Sequence, residues 1–270
     1  MNTASKALLL VNNPARAIHR VDTILREQFV RLQNLWTDWW RFGHTRSETG
    51  LPEFDEVVEH ARTRTDISDH LVLMFVESLA IRPSLIVELG VREGESTFVF
   101  ERVARIFDSH LVSVDLQDCS HVSSYPKRTF IRSDDITFAE RFPQWCEEHG
   151  VLPSIDVLFI DTSHELEHSL RELESWFPFL SDRCKVFFHD TNIKRVFRRR
   201  DGSIGLGWMN SRGVIAAIEK YFGRRFYEDR DFTTVAGDWV IRHLAPCNGM
   251  TIFERRRTPV SAEALSVATR

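Results

Sequence analysis

The 270-residue chain is 43% hydrophobic and 27% charged, with a formal net charge of −4. That balance suits a globular protein, is too apolar for disorder, and disfavours a general nucleic-acid surface. No apolar run approaches the roughly 18 residues of a membrane span, residues 7–11 after Lys6 are too few for a signal-peptide core, and the four cysteines lack the CxxC spacing of a zinc knuckle. The expectation is a cytoplasmic protein with neither nucleic acid nor membrane as partner.

Residues 14–43 read as a helix, because Ile18, Val21, Ile24, Leu25, Phe29, Leu32 and Trp36 recur at spacings of three and four. Trp36, Trp39 and Trp40 near its end are expected to form a packed face, within one chain or between chains. Gly50 and Pro52 mark residues 46–52 as a linker, and 67–80 read as a largely buried helix. From Ser84 onward, apolar runs at 85–89, 111–114, 129–131, 155–160 and 185–188 alternate with helical stretches near 96–107, 138–148 and 165–177. Strands linked by crossover helices indicate a doubly wound, mostly parallel Rossmann-like α/β sheet. After Gly202, Gly205 and Gly207 come a helix at 214–222 and strands at 239–242 and 251–254. The expected organisation is a helical N-terminal cap over 1–63, a ligand-binding domain over 64–257 and a frayed tail over 258–270.

In such sheets ligands sit at the carboxyl ends of the strands. The first strand ends in Glu88-Leu89-Gly90-Val91-Arg92-Glu93-Gly94, and Ser96 opens the next helix. A dinucleotide fingerprint needs glycine where Arg92 and Glu95 stand, so the turn reads E-x-G-x-x-x-G, suited to a ligand without phosphates. Asp115, 27 residues after Glu88, ends the second strand, where a carboxylate can accept both hydroxyls of a ribose. Ser133-Asp134-Asp135 follows the third strand, where a side chain could meet an adenine edge.

With these residues the sequence resembles the class I S-adenosylmethionine-dependent methyltransferases over roughly residues 67–256. The run from Val87-Glu88-Leu89-Gly90 through Asp156-Val157-Leu158-Phe159-Ile160-Asp161 to His189-Asp190 is similar to a bacterial subgroup. That subgroup contains antibiotic sugar O-methyltransferases and cephalosporin hydroxylase-like proteins. The resemblance implies that Glu88, Gly90, Arg92, Gly94 and Ser96 hold the methionine part, Asp115 the ribose, and Asp134 or Asp135 the adenine. Asp161 borders the cofactor as well. It also implies a homo-oligomer.

The fourth strand delivers Asp161 with His164 three residues on, and the fifth delivers Asp190-Thr191-Asn192. Neighbouring strand ends can bring Asp161 and Asp190 together, and two carboxylates with water and substrate oxygens suit a hard ion such as Mg²⁺. His164 is placed to take a proton from an acceptor hydroxyl. Catechol O-methyltransferase carries a metal aspartate and a basic residue at this spacing, and the sugar enzymes, with histidine, are more similar still. Several relatives have a second acid where this chain has Thr191, so Thr191, Asn192 or water is left as the third oxygen ligand.

His164-Glu165-Leu166-Glu167-His168 also matches the H-E-x-x-H zinc signature. Arg171 replaces the glycine of the extended pattern, and a strand feeding this helix fits a βαβ unit better. The basic run Lys194, Arg195, Arg198, Arg199 and Arg200 reads either as a solvated face or as a contact for an acidic acceptor such as a nucleotide sugar. The leading expectation is a Mg²⁺-assisted, S-adenosylmethionine-dependent O-methyltransferase acting on a sugar or other small natural product. The alternative is a ligand-binding or accessory protein of the same fold without methyl transfer.

Overall fold

A computed structural model of the chain describes residues 14–41 and 49–256. Helix α1 (Pro14–Arg41) is followed by α2 (Pro52–His60), α3 (Ser68–Ile81), β1 (Leu85–Leu89), α4 (Glu95–Phe107), β2 (His110–Asp115), β3 (Arg128–Arg132), α5 (Asp135–His149), β4 (Ile155–Ile160), α6 (Leu166–Trp176) and β5 (Leu180–His189). A short hairpin, β6 (Val196–Arg198) and β7 (Ile204–Leu206), precedes α7 (Gly213–Phe222), β8 (Phe232–Ala236), β9 (Trp239–Leu244) and β10 (Met250–Arg255). Among the described residues no helix is long and apolar enough to cross a membrane.

The main sheet runs β3-β2-β1-β4-β5-β10-β9-β8, parallel from β3 through β5 and antiparallel beyond. Its core follows from the two-residue period of a strand. Leu85, Val87 and Leu89 of β1 pack with α5, α6 and α7 on one face, while Ile86 packs with α2, α3 and α4 on the other. β4 divides likewise, Leu158 and Ile160 against Val157 and Phe159. Strands covered on both faces are apolar at nearly every position, with only Glu88 in β1 and Asp156 in β4 as exceptions, which explains why β1 and β4 match their expected ranges. Strand order reverses between β1 and β4, so the crevice for a ligand opens at their carboxyl ends.

Several elements depart from expectation. Pro52 stands in the first turn of α2, with Glu53 and Asp55 beside it, instead of in a linker. Proline suits that position, where the missing N–H has no intrahelical partner. The β6–β7 hairpin is only three residues on each side, and β8 is a partly exposed edge strand, FTTVA, with little apolar signal. On α1, Ile24, Leu25, Phe29 and Leu32 are exposed. Asn34 ties this helix to the hairpin, accepting from the Ile204 amide at 2.8 Å and donating to its carbonyl at 3.0 Å. The side chains of Trp36, Trp39 and Trp40, and the expected tail at 258–270, lie outside the described residues.

Candidate active site

The turn after β1 is built by a close backbone approach. Gly90 has φ +85°, and a methyl there would lie 2.0 Å from the carbonyl oxygen of Asp161. Its amide donates to the Val114 carbonyl at 2.9 Å, and the Asp161 amide donates to Leu89 at the same distance. The ends of β1, β2 and β4 are thereby locked together. Asp115 reinforces the turn: its Oδ2 accepts from the Val91 and Arg92 amides at 2.8 and 3.2 Å. Gly94, at φ +84°, caps the start of α4.

A cleft of about 240 Å³ opens over this turn, lined among others by Gly90, Arg92, Asp115, Asp134, Asp135, Asp161 and His168. A second, of about 130 Å³, continues past Gly90, Arg92 and Asp161 to Thr65, Asp66 and Ser96. Arg92 stands at their junction, paired with Asp66 at 3.2 Å. Asp134 is the N-cap of α5, accepting from the Thr137 amide and hydroxyl, which holds its carboxyl below the usual range.

Glu88 is a correction. It is fully buried and lines neither cleft; its carboxylate accepts from Ser96 at 2.6 Å, Thr97 at 2.9 Å and Ser113 at 2.7 Å. Burial pushes its carboxyl up, and the three hydroxyls offset part of that cost. Glu88 therefore clamps α4 and β2 to β1 and does not offer a carboxylate to a ligand. Ser96 borders the smaller cleft, but its hydroxyl is spent on Glu88.

At the neighbouring strand ends, His164 Nε2 lies 3.1 Å from Asp161 Oδ1 and 3.1 Å from Asp190 Oδ2. Both His164 (φ +59°) and Asp190 (φ +56°) occupy the left-handed region, a strain that surrounding structure must hold. Gly213 supplies one such hold, since a methyl there would lie 2.1 Å from the His164 carbonyl oxygen. Beneath them His189, fully buried, places Nδ1 at 3.3 Å from Asp161 and 3.5 Å from Asp190. Burial alone would lower His189, but the Asp190 and Asp161 charges push it up to about 10. Burial would likewise raise Asp161, yet His189 and His164 hold it far below the carboxylate range. For Asp190 burial prevails and its carboxyl is raised. His164 is raised too, because the Asp161 hydrogen bond and both carboxylate charges outweigh its burial. The sequence does not single out His189; its one signal there is a histidine directly before the fifth-strand aspartate.

The donor atoms of Asp161, His164 and Asp190 lie within 4.8 Å of one another. Asp190 Oδ1 is buried and makes no hydrogen bond. Two carboxylates, one with an oxygen that makes no hydrogen bond, beside an imidazole fit a divalent cation with room for water or substrate oxygens. Thr191 and Asn192 do not join them, a second correction. Thr191 is fully buried, its Oγ1 3.3 Å from His243 Nδ1, and Asn192 donates to the Ala245 carbonyl at 3.0 Å. Both face the β9–β10 turn, because the chain bends away from the sheet end at Asp190.

The H-E-x-x-H reading dissolves in the same geometry. His164 precedes α6, and His168 pairs instead with Asp135 at 2.9 Å. Asp135 and His168 adjoin Glu172, a fully buried acid that accepts from Thr162 at 2.5 Å. Burial and the neighbouring Asp135 raise Glu172 well above the ordinary glutamate range.

Comparison with known proteins agrees with this layout. Residues 87–191 match the family described as "Methyltransferase domain". An uncharacterised Sinorhizobium fredii protein, y4gI, is 29% identical over 131 residues, which is 43% of this chain and 14% of that protein. A Staphylococcus aureus protein proposed to be a caffeoyl-CoA O-methyltransferase aligns over 82% of this chain and 99% of its own, with 14% identity and a TM-score of 0.50, a likeness of fold. MycE, a methyltransferase of the mycinamycin biosynthetic pathway solved with Mg, S-adenosylhomocysteine and mycinamycin VI, aligns over 66% of this chain at 18% identity and TM-score 0.40. The chain spans 46% of MycE. Residues 87–191 thus match a methyltransferase-domain family, and the sheet that surrounds them has the Rossmann-like fold of the class I methyltransferases.

Proposed function

We propose that the chain methylates a hydroxyl of a small acceptor, a sugar or related natural product, with divalent-cation assistance at Asp161 and Asp190. The observation that carries this reading is one histidine, His164, held 3.1 Å from carboxylates of two different strand ends, beside a cleft bordered by Gly90, Asp115 and Asp134. Bound S-adenosylmethionine would supply an electrophilic methyl group, with Asp115 and Asp134 nearest its nucleoside and Arg92 at the bend between the two clefts. Asp161 and Asp190 would hold the cation, which supplies Lewis acidity toward the acceptor oxygen and offsets the charge that raises His164. His164 would then take the acceptor proton. The left-handed turns at His164 and Asp190 fix both groups before substrate arrives, and much of the rate would come from that orientation.

The test is transfer of a labelled methyl group to a panel of sugars and nucleotide sugars in the presence of Mg²⁺. A labelled product is expected, and His164→Ala should reduce kcat about 10²- to 10⁴-fold while leaving cofactor affinity within twofold. Cofactor binding without transfer across the panel would favour a binding or accessory protein.

A further inference from the structure

We propose that Trp208 is the platform on which the acceptor's ring stacks, so that the acceptor is a cyclic compound with a flat or apolar face and adjacent hydroxyls at its edge. The inference rests on the reading of His164, Asp161 and Asp190 as the reacting end of the site. Trp208 stands edge-on to His164, with ring centroids 5.7 Å apart and planes at 77°. Even so it is 68% exposed, and Leu206 and Met209 beside it are exposed as well. An indole left in water forgoes the burial that normally stabilises so large a side chain.

The exposure does not come from a slack loop. Before Trp208, the Gly207 amide donates to the Arg195 carbonyl at 3.1 Å, and a methyl on Gly207 would lie 2.2 Å from the Lys194 carbonyl oxygen. After it, Asn210 Oδ1 accepts from the Arg195 amide at 2.9 Å, and the Ser211 amide donates to Ile193 at 3.2 Å. The preceding hairpin is held in turn by Asn34 of α1. A rigid backbone thus presents an uncovered indole next to the proposed base. Rings with one apolar face stack on indole at little entropic cost, whether aromatic or saccharide. Edge hydroxyls of a ring stacked there would face His164 and the two carboxylates.

The full chain labelled with 5-fluorotryptophan gives a ¹⁹F signal for each of its seven tryptophans, and Trp208→Phe identifies the one that matters. In the presence of S-adenosylhomocysteine it is titrated with catechol, methyl rhamnoside and cyclohexane-1,2-diol, with ethylene glycol as the acyclic control. At least one ring diol should shift the Trp208 signal saturably and the acyclic diol should not; catechol against rhamnoside separates an aromatic from a sugar acceptor. Read calorimetrically, because neither variant carries the Trp208 signal, Trp208→Ala should weaken that ring diol at least about tenfold, with Trp208→Phe retaining most of the affinity and S-adenosylhomocysteine binding changed less than twofold in both. The proposal is overturned if no ring diol moves the signal, if Trp208→Ala binds them equally well, or if the signal moves with protein concentration alone, which would mean a second copy covers the indole. Loss of S-adenosylhomocysteine binding while a ring diol still shifts Trp208 would remove the methyl-transfer reading and leave the platform.

Discussion

Gly90 and Glu172 show how single residues set the terms of the site. At Gly90 a side chain has two obstacles, a left-handed φ and the Asp161 carbonyl at 2.0 Å. Gly90→Ala should therefore cost more than about 2 kcal/mol and abolish cofactor binding. Gly150→Ala, at φ +65° with nothing within 4 Å, should cost only about 1 kcal/mol; thermal denaturation of both variants compares them. Glu172 makes the opposite case, of a group whose charge the fold resists. Its folded pKa lies above the ordinary glutamate value, so the folded state keeps a proton that the unfolded chain releases. Stability then declines as pH rises from the unfolded value through the folded one. Glu172→Gln removes that decline: its melting temperature should match the wild type near pH 5 and exceed it at pH 8. A wild-type advantage at pH 8 would contradict the assignment.

At the scale of elements, the basic run after β5 divides by strand alternation. Val196 and Arg198 of β6 face outward and are exposed, while Phe197 and Arg199 face in. Arg199 donates to the Thr65 carbonyl at 3.0 Å and lies over the Phe197 ring at 4.9 Å, fastening the hairpin to the loop before α3. Replacing all three arginines at 198–200 would therefore mix a structural loss with any effect on an acidic acceptor. Arg199→Ala should cost about 1.5–3 kcal/mol, and Arg198→Ala should stay within about 0.5 kcal/mol, both read from denaturant melts. These elements also show what was legible. Strands β1 and β4 are apolar on both faces but for Glu88 and Asp156, and helices α4 and α5 have clear stripes, so their positions could be read directly. The β6–β7 hairpin, three residues a side, and the edge strand β8 lack any such stripe, because neither is buried on both faces.

Over the whole molecule, the sheet order explains which site residues the sequence could reveal. Motifs local to one strand end, such as Gly90 with Gly94 or Asp161 with His164, survive as recognisable spacings. Contacts between distant segments do not. The family resemblance places Glu88 among the cofactor's contacts, yet three hydroxyls from α4 and β2 close on it. Thr191 and Asn192 looked available for a cation until β9 and β10 returned beside β5 and drew them to the far side. His189 and Trp208 join the site only because β5 and the 207–213 segment converge on His164. The proposed function requires the two clefts meeting at Gly90, Arg92 and Asp161 to hold S-adenosylmethionine beside a cation site. Calorimetric titration of the purified chain with S-adenosylmethionine and S-adenosylhomocysteine, with and without Mg²⁺, tests it most directly. Micromolar binding that Asp115→Ala weakens is the predicted result; no heat of binding at millimolar ligand, from a chain that melts cooperatively, would contradict it.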